Sequence, residues 1–139
     1  MPPNLNIILQ KNIKSYVIMT RYKENIMQDT YFNKDRIDKN SILKFLEDLK
    51  PKLEKDGIVK LGLFGSFAKG KADNASDVDI VICTGKEFIK KYKGFEGIIY
   101  LEELRQSFSH KFKRNVDLCD IASMKKEKQN KLLQGAIYV

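Results

Sequence analysis

Leu63-Phe64-Gly65-Ser66-Phe67-Ala68-Lys69-Gly70 and, one short loop later, Ser76-Asp77-Val78-Asp79-Ile80-Val81-Ile82 are the two runs that decide how this chain reads. The first is an apolar, strand-like segment that leaves through a Gly-Ser turn. The second carries two aspartates one residue apart, then an apolar run of the kind a buried strand requires. Alternate side chains of a strand share a face, so Asp77 and Asp79 point the same way at the rim of a sheet. Two carboxylates held side by side repel by about 4 kcal/mol at ~4 Å and the effective dielectric of a protein surface. A divalent cation removes that cost, and a hard cation such as Mg²⁺ takes oxygen ligands alongside substrate phosphates. Gly65 lets a phosphate approach the backbone with no Cβ in the way. Ser66 offers a hydroxyl and an N–H, and Phe67-Ala68-Lys69 open a short helix whose N-terminus favours anions. Each element alone is commonplace. Taken in order (strand, Gly-Ser, short helix, Ser-Asp-x-Asp, strand) they point to a metal-nucleotide site.

Around these runs the pattern is that of one small domain. Ile42, Phe45, Leu46, Leu49 and Leu53 recur at spacings of three and four and predict a helix from Ser41, with Asn40 as its N-cap. Pro51 is expected to kink or locally break it, and Asp56-Gly57 to close it. Ile58 to Phe64 predicts the first strand and Val78 to Cys83 the second, their relative direction not being readable from the residues. The Gly-, Lys-, Asp-, Asn- and Ser-rich segment Lys69 to Ser76 predicts a mobile loop over the site. Ile98, Leu101, Leu104, Phe108 and Phe112 mark a second amphipathic helix. Asn115 to Cys119 then predicts a short strand with Asp117 in its middle. Buried without a partner, Asp117 would cost free energy; on an edge strand it would simply face solvent. A last helical stretch, Lys125 to Leu133, leads to Ala136-Ile137-Tyr138-Val139, which is expected to pack back on the core.

Gly65-Ser66-Phe67-Ala68-Lys69-Gly70 with Ser76-Asp77-Val78-Asp79 resembles the core motif of the DNA polymerase β-type nucleotidyltransferases. The chain looks most like their minimal branch, the MNT proteins, often the antitoxins of HEPN-type toxins. The resemblance covers roughly Asn40 to Val139. It implies an α/β (α+β) fold, a small mixed sheet flanked by helices. It also implies that Asp117 is the third carboxylate, contributed by a neighbouring strand. Asp77, Asp79 and Asp117 would be the catalytic and metal-binding residues, holding two Mg²⁺ ions, and Gly65 and Ser66 would hold the phosphates of ATP. Lys69 stands where the family usually has arginine, which keeps the charge but not the planar fork. The activity so implied is transfer of AMP from ATP to a hydroxyl, most simply a tyrosine on a HEPN-type toxin. With the sequence ending soon after Asp117, the helical domain that closes over the drug in aminoglycoside-modifying relatives is not expected here. A protein acceptor would supply that missing half. The reading from a different class is a non-catalytic antitoxin that neutralises its partner by stoichiometric binding.

The bulk composition is consistent with this. At 139 residues and 42% hydrophobic, the chain can build one core. Its formal net charge of +8 would suit phosphates, nucleic acid or an acidic partner. The lysines are scattered, however, with no nucleic-acid-binding motif beside them, and read as solvated helix faces, which argues against direct nucleic-acid binding. Cys83 and Cys119 lie in apolar runs and predict buried free thiols, which fits a reducing cytoplasm. His110 sits in a basic stretch and predicts a surface residue. Leu5 to Leu9 is too short an apolar run to span a membrane, and no cleavage site follows it. Residues 1–38 form an N-terminal extension without a clear period, set against a catalytic domain over 39–139. Met19 and Met27 within it offer later translation starts, and an amphipathic arm used in self-association is the other reading.

Overall fold

The computed structural model describes residues 37–139. Its elements run α1 (Lys39–Lys55), β1 (Ile58–Phe64), α2 (Gly65–Ala68), β2 (Val78–Thr84), α3 (Lys86–Lys91), α4 (Phe95–Phe112), β3 (Val116–Asp120), α5 (Lys126–Leu132) and β4 (Ile137–Tyr138). Residues 1–36 of the expected extension lie outside the described residues, and so do Met19 and Met27. Ile37 already packs into the core.

α1 starts two residues earlier than expected, because Asp38 rather than Asn40 caps it. The Asp38 carboxylate accepts from the Ser41 N–H (2.7 Å), and the Ser41 hydroxyl accepts from the Asp38 N–H (3.2 Å), a reciprocal capping box. The helix runs through Pro51 to Lys55 instead of breaking there. Pro51 lies on the exposed face, while Leu49 and Leu53 on either side are buried. Burial at about 1.5–3 kcal/mol per large apolar side chain offsets the lost hydrogen bond. Gly57, at φ +93, makes the reversal into β1, a conformation that L side chains rarely adopt.

The four strands form one mixed sheet in the order β3-β2-β1-β4. β1 pairs antiparallel with β2 and with β4, whereas β2 and β3 are parallel. The crossover from β2 to β3 carries α3 and α4, in keeping with the length a parallel connection needs. Side-chain alternation gives the sheet two unlike faces. Leu61, Leu63, Val78, Ile80, Ile82 and Val116 turn to the larger core, with α1 and α4. There Phe45 meets Phe108 and Phe112 edge-on at centroid distances of 6.2 and 5.5 Å. On the other face Phe64, Val81 and Ile121 form a small cluster, flanked by Cys83, Cys119, Met124, Leu133 and Ala136. Its cover is thin: α5 has no buried residue.

Other expectations shift in detail. α2 opens at Gly65 rather than at Phe67. α3 was not anticipated, and Phe88 is its one buried side chain. In α4 the core face is Gly97, Tyr100, Leu104, Phe108 and Phe112, while Ile98 is 65% exposed, so that member of the expected stripe faces out. Tyr100 takes the inward position because Phe88 and Tyr92 close around it, with centroids at 5.3 and 4.6 Å. Cys83 and Cys119 are free but half-buried. His110 is at the surface. The C-terminal Ile137-Tyr138 does return to the sheet, beside β1.

Candidate active site

Three chain segments meet at one end of the thinly covered face. β1 ends at Phe64, whose register partner on β2 is Asp79, so the Gly65-Ser66 turn is set directly beside that aspartate. The parallel pairing then matches β2 and β3 residue for residue: Val78 with Val116, Asp79 with Asp117, Ile80 with Leu118. Partnered residues of adjacent strands point to the same face. Asp79 and Asp117 therefore stand side by side, and Asp77 lies just ahead of the start of β2, close enough for its charge to act on Asp79. Asp79 is half-buried, while Asp77 and Asp117 are exposed.

The electrostatics follow from this packing. Burial pushes the Asp79 carboxyl above its ordinary value, and the negative charges of Asp117 and then Asp77 push it further. Gly65 has φ +72, and a Cβ there would collide with the Asp79 carboxylate. The glycine is thus needed twice, for its backbone angle and for the space it leaves. Ser66 follows in the first turn of α2, where N–H groups have no intrahelical acceptor. Lys69 is placed differently: it is exposed, and its stem lies along Gly135 in the turn before β4.

Oxygen donors crowded by like charge, next to a recess that a Cβ would fill, have the chemistry of a hard-cation site. Among the described residues no group of three or more carboxylates, thiols or imidazoles is arranged to hold a metal by itself. Carboxylate oxygens are nonetheless the donors that a hard divalent cation such as Mg²⁺ takes alongside phosphate oxygens, and Asp77, Asp79 and Asp117 are the residues that would hold it.

Two arginines near the site were not singled out in the sequence. Arg105, on α4, chelates Glu102 through Nε (2.9 Å) and Nη2 (2.6 Å); the bond to Glu102 holds its guanidinium more firmly charged than usual, and the negative charge of Asp117 adds a little to that. Arg114 reaches the loop ahead of Asp77, with Nη1 donating to the carbonyls of Asp73 (2.8 Å) and Ser76 (3.1 Å). That loop, expected to be mobile, is tied down further. The Asp73 carboxylate accepts from the Ala75 N–H (2.9 Å) and the Ser76 hydroxyl (3.1 Å), and these bonds hold its carboxyl below the usual range. An open cavity of about 360 Å³ adjoins it, lined by Asn74, Ser76, Asp77, Ser109, Lys113 and Arg114 among others. In sequence both arginines look like members of solvated basic helix faces, and nothing local marks them.

Comparison with known proteins agrees with this geometry. Residues 47–139 match the family described as Polymerase beta, Nucleotidyltransferase. A solved structure described as a minimal nucleotidyltransferase is similar over 73% of this chain and 96% of its own, at 19% identity and a TM-score of 0.57. A mutant of the toxin–antitoxin MntA-HpeT is similar over 73% of this chain and 72% of its own, at 22% identity and a TM-score of 0.50. At such identities the likeness is one of fold. None of the curated proteins matches the sequence significantly. With two thirds of its length matched to that one family and a mixed sheet of the same fold, the chain is a member of the polymerase beta nucleotidyltransferases.

Proposed function

We propose that this nucleotidyltransferase moves AMP from ATP onto a hydroxyl of a partner protein, a tyrosine of a HEPN-type toxin, and thereby acts as its antitoxin. The observation that carries the reading is the pairing of Asp79 with Asp117 beside Gly65, at the open end of the sheet's thin face. The structural likeness to MntA-HpeT, a toxin–antitoxin, supports a toxin as the partner.

In this reading Gly65 and Ser66 receive the β- and γ-phosphates, the glycine by leaving room and the serine by donating from its hydroxyl and N–H. Asp77 and Asp79 supply carboxylate oxygens on the phosphate side, and Asp117 supplies one on the acceptor side. Two bound Mg²⁺ ions would stabilise the entering and leaving oxygens of an in-line displacement. The acceptor oxygen attacks the α-phosphorus, the bond from that phosphorus to the pyrophosphate oxygen breaks, and the hydroxyl proton passes toward Asp117. Asp117 is suited to that side, being exposed on an edge strand where a partner protein can reach it. Among the described residues no helix is long and apolar enough to cross a membrane. The free thiols Cys83 and Cys119 fit a reducing cytoplasm as the place of the reaction.

The deciding experiment incubates the protein with α-labelled ATP, Mg²⁺ and a HEPN-type candidate partner protein, followed by intact mass of both chains. The expected result is one or more adenylyl units on the toxin, absent with Asp79→Asn. Neutralisation of the toxin at equimolar dose, with no mass change, would replace this reading by stoichiometric binding.

A further inference from the structure

Arg114 joins three separate parts of the site, although it belongs to none of the motifs that identify it. It lies three residues ahead of Asp117, at the entry to β3. Its own backbone is pinned to the end of α4: the Arg114 N–H donates to the Ser109 carbonyl (3.3 Å), and the Ser109 hydroxyl donates to the Arg114 carbonyl (2.6 Å). From that anchor the guanidinium lies over the Phe67 ring, 5.3 Å from its centroid. Phe67 is buried in α2, one residue after Ser66. The same guanidinium donates through Nη1 to the carbonyls of Asp73 and Ser76, and Ser76 is the residue before Asp77. One side chain therefore spans the phosphate turn, the loop that delivers Asp77 and the strand that delivers Asp117.

We propose that Arg114 is a positioning residue of the active site, holding the Gly65-Ser66 turn, Asp77 and Asp117 in mutual register. The proposal rests on the nucleotidyl-transfer reading above for its consequence in binding, but not for its consequence in loop order. The need for arginine is chemical. A planar guanidinium can stack on a ring and still present N–H groups at its edge to two carbonyls, whereas an ammonium is a point charge that cannot do both. The neighbouring Asn115 carbonyl accepts from the Val78 N–H (3.0 Å), so a shift at Arg114 would be passed directly to the first residue of β2. Groups that orient metal ligands in this way typically matter by about 10–100-fold in affinity or activity.

The test uses the full chain and Arg114→Lys, which retains the charge, with Phe67→Leu as a second variant that removes the ring but keeps the burial. Two readouts are taken. Amide hydrogen exchange in the protein alone should quicken at Ser76 and Val78 in Arg114→Lys, while the amides of α1 between Ile42 and Leu53 stay as in the wild type. Binding of Mn²⁺ with α,β-methylene-ATP should weaken by about 10–100-fold in Arg114→Lys, and by less, in the same direction, in Phe67→Leu. Wild-type exchange at Ser76 and Val78 would overturn the proposal, as would wild-type binding of the Mn²⁺-nucleotide probe by both variants. If the wild type itself does not bind the probe, the nucleotidyl-transfer reading fails, and the exchange rates alone then decide for or against the positioning role. Should Arg114→Lys unfold, Phe67→Leu carries both readouts.

Discussion

Two aspartates, one at the end of α1 and one on β2, show what burial does to a carboxylate with and without partners. Asp56, at the C-terminal end of α1, is 4% exposed and fully engaged. Lys91 Nζ donates to one of its oxygens and Tyr100 Oη to the other, both at 2.8 Å. Its charge, after burial, helps push the neighbouring Tyr92 hydroxyl far above its ordinary value. Asp79 is less buried, yet its environment is the harsher one. Its charged neighbours are Asp117 and Asp77, and all of them raise its proton affinity. The first arrangement ties α1, α3 and α4 together and leaves nothing for a ligand to add. The second is an unresolved repulsion that only something from outside can relieve. Satisfied burial builds the fold; unsatisfied burial marks the site.

That contrast can be broken by substitution. The largest effect should come from Asp79→Asn, which lowers nucleotidyl transfer by at least about 10²–10³-fold, the usual result of removing one electrostatic stabiliser. Steady-state transfer rates check it, and activity close to wild type would remove Asp79 from the machinery. Without metal, the same variant should be more stable than the wild type, because it removes a repelled charge. Gly65→Ala comes next. The left-handed angle alone costs an L residue about 1–2 kcal/mol, and the added methyl drives into Asp79, so stability and transfer should fall together in urea unfolding and in rate. An alanine variant that transfers normally would show that the recess beside Asp79 is not used.

Asp56→Ala should reverse the pattern. Stability falls by about 1–3 kcal/mol as Tyr100 loses a buried acceptor, while transfer per folded molecule stays at the wild-type level. A drop in transfer without a drop in stability would mean that the two aspartates are not separate in function. The smallest effect is on pH dependence. Because the folded Asp79 carboxyl titrates above its unfolded value, the folded state holds the extra proton in that window. Stability is then greatest below the ordinary aspartate range and is lost as pH rises through the raised value. The stability gap between Asp79→Asn and wild type should therefore open with rising pH from about 4, near the ordinary aspartate pKa, then level off. Saturating Mg²⁺ should close it in the wild type alone, by about 2.7 kcal/mol at a hundredfold excess over Kd. A gap that does not change with pH would show that the repulsion is absent.

Much of this was legible beforehand because it is local. The apolar runs that became β1 and β2, and the Gly-Ser turn that leaves the first of them, follow from a few neighbouring residues, although β2 starts at Val78 and so leaves Asp77 just outside the strand. The cap of α1 lies two residues ahead of Asn40 because Asp38 and Asn40 are both good caps, and only the reciprocal bond with Ser41 separates them. On α4 Ile98 faces out because the inward direction is set by Phe88 and Tyr92 on another segment, which select Tyr100 instead. Arg114 is unmarked in the sequence for the same reason: its contacts are with Phe67, Asp73 and Ser76, all remote from it along the chain.

The order of residues by itself determined that an apolar strand leaves through a Gly-Ser turn and that a second strand carries Asp79 near its start, since both follow from backbone geometry within a few residues. Only the tertiary structure decided that β3 lies parallel to β2 in the register that sets Asp117 against Asp79, and that Gly65 leaves the space beside them. Strand direction and register are fixed by what the crossover helix buries and by which face of the sheet it covers. Those quantities belong to the whole packed core and to no single stretch of the chain.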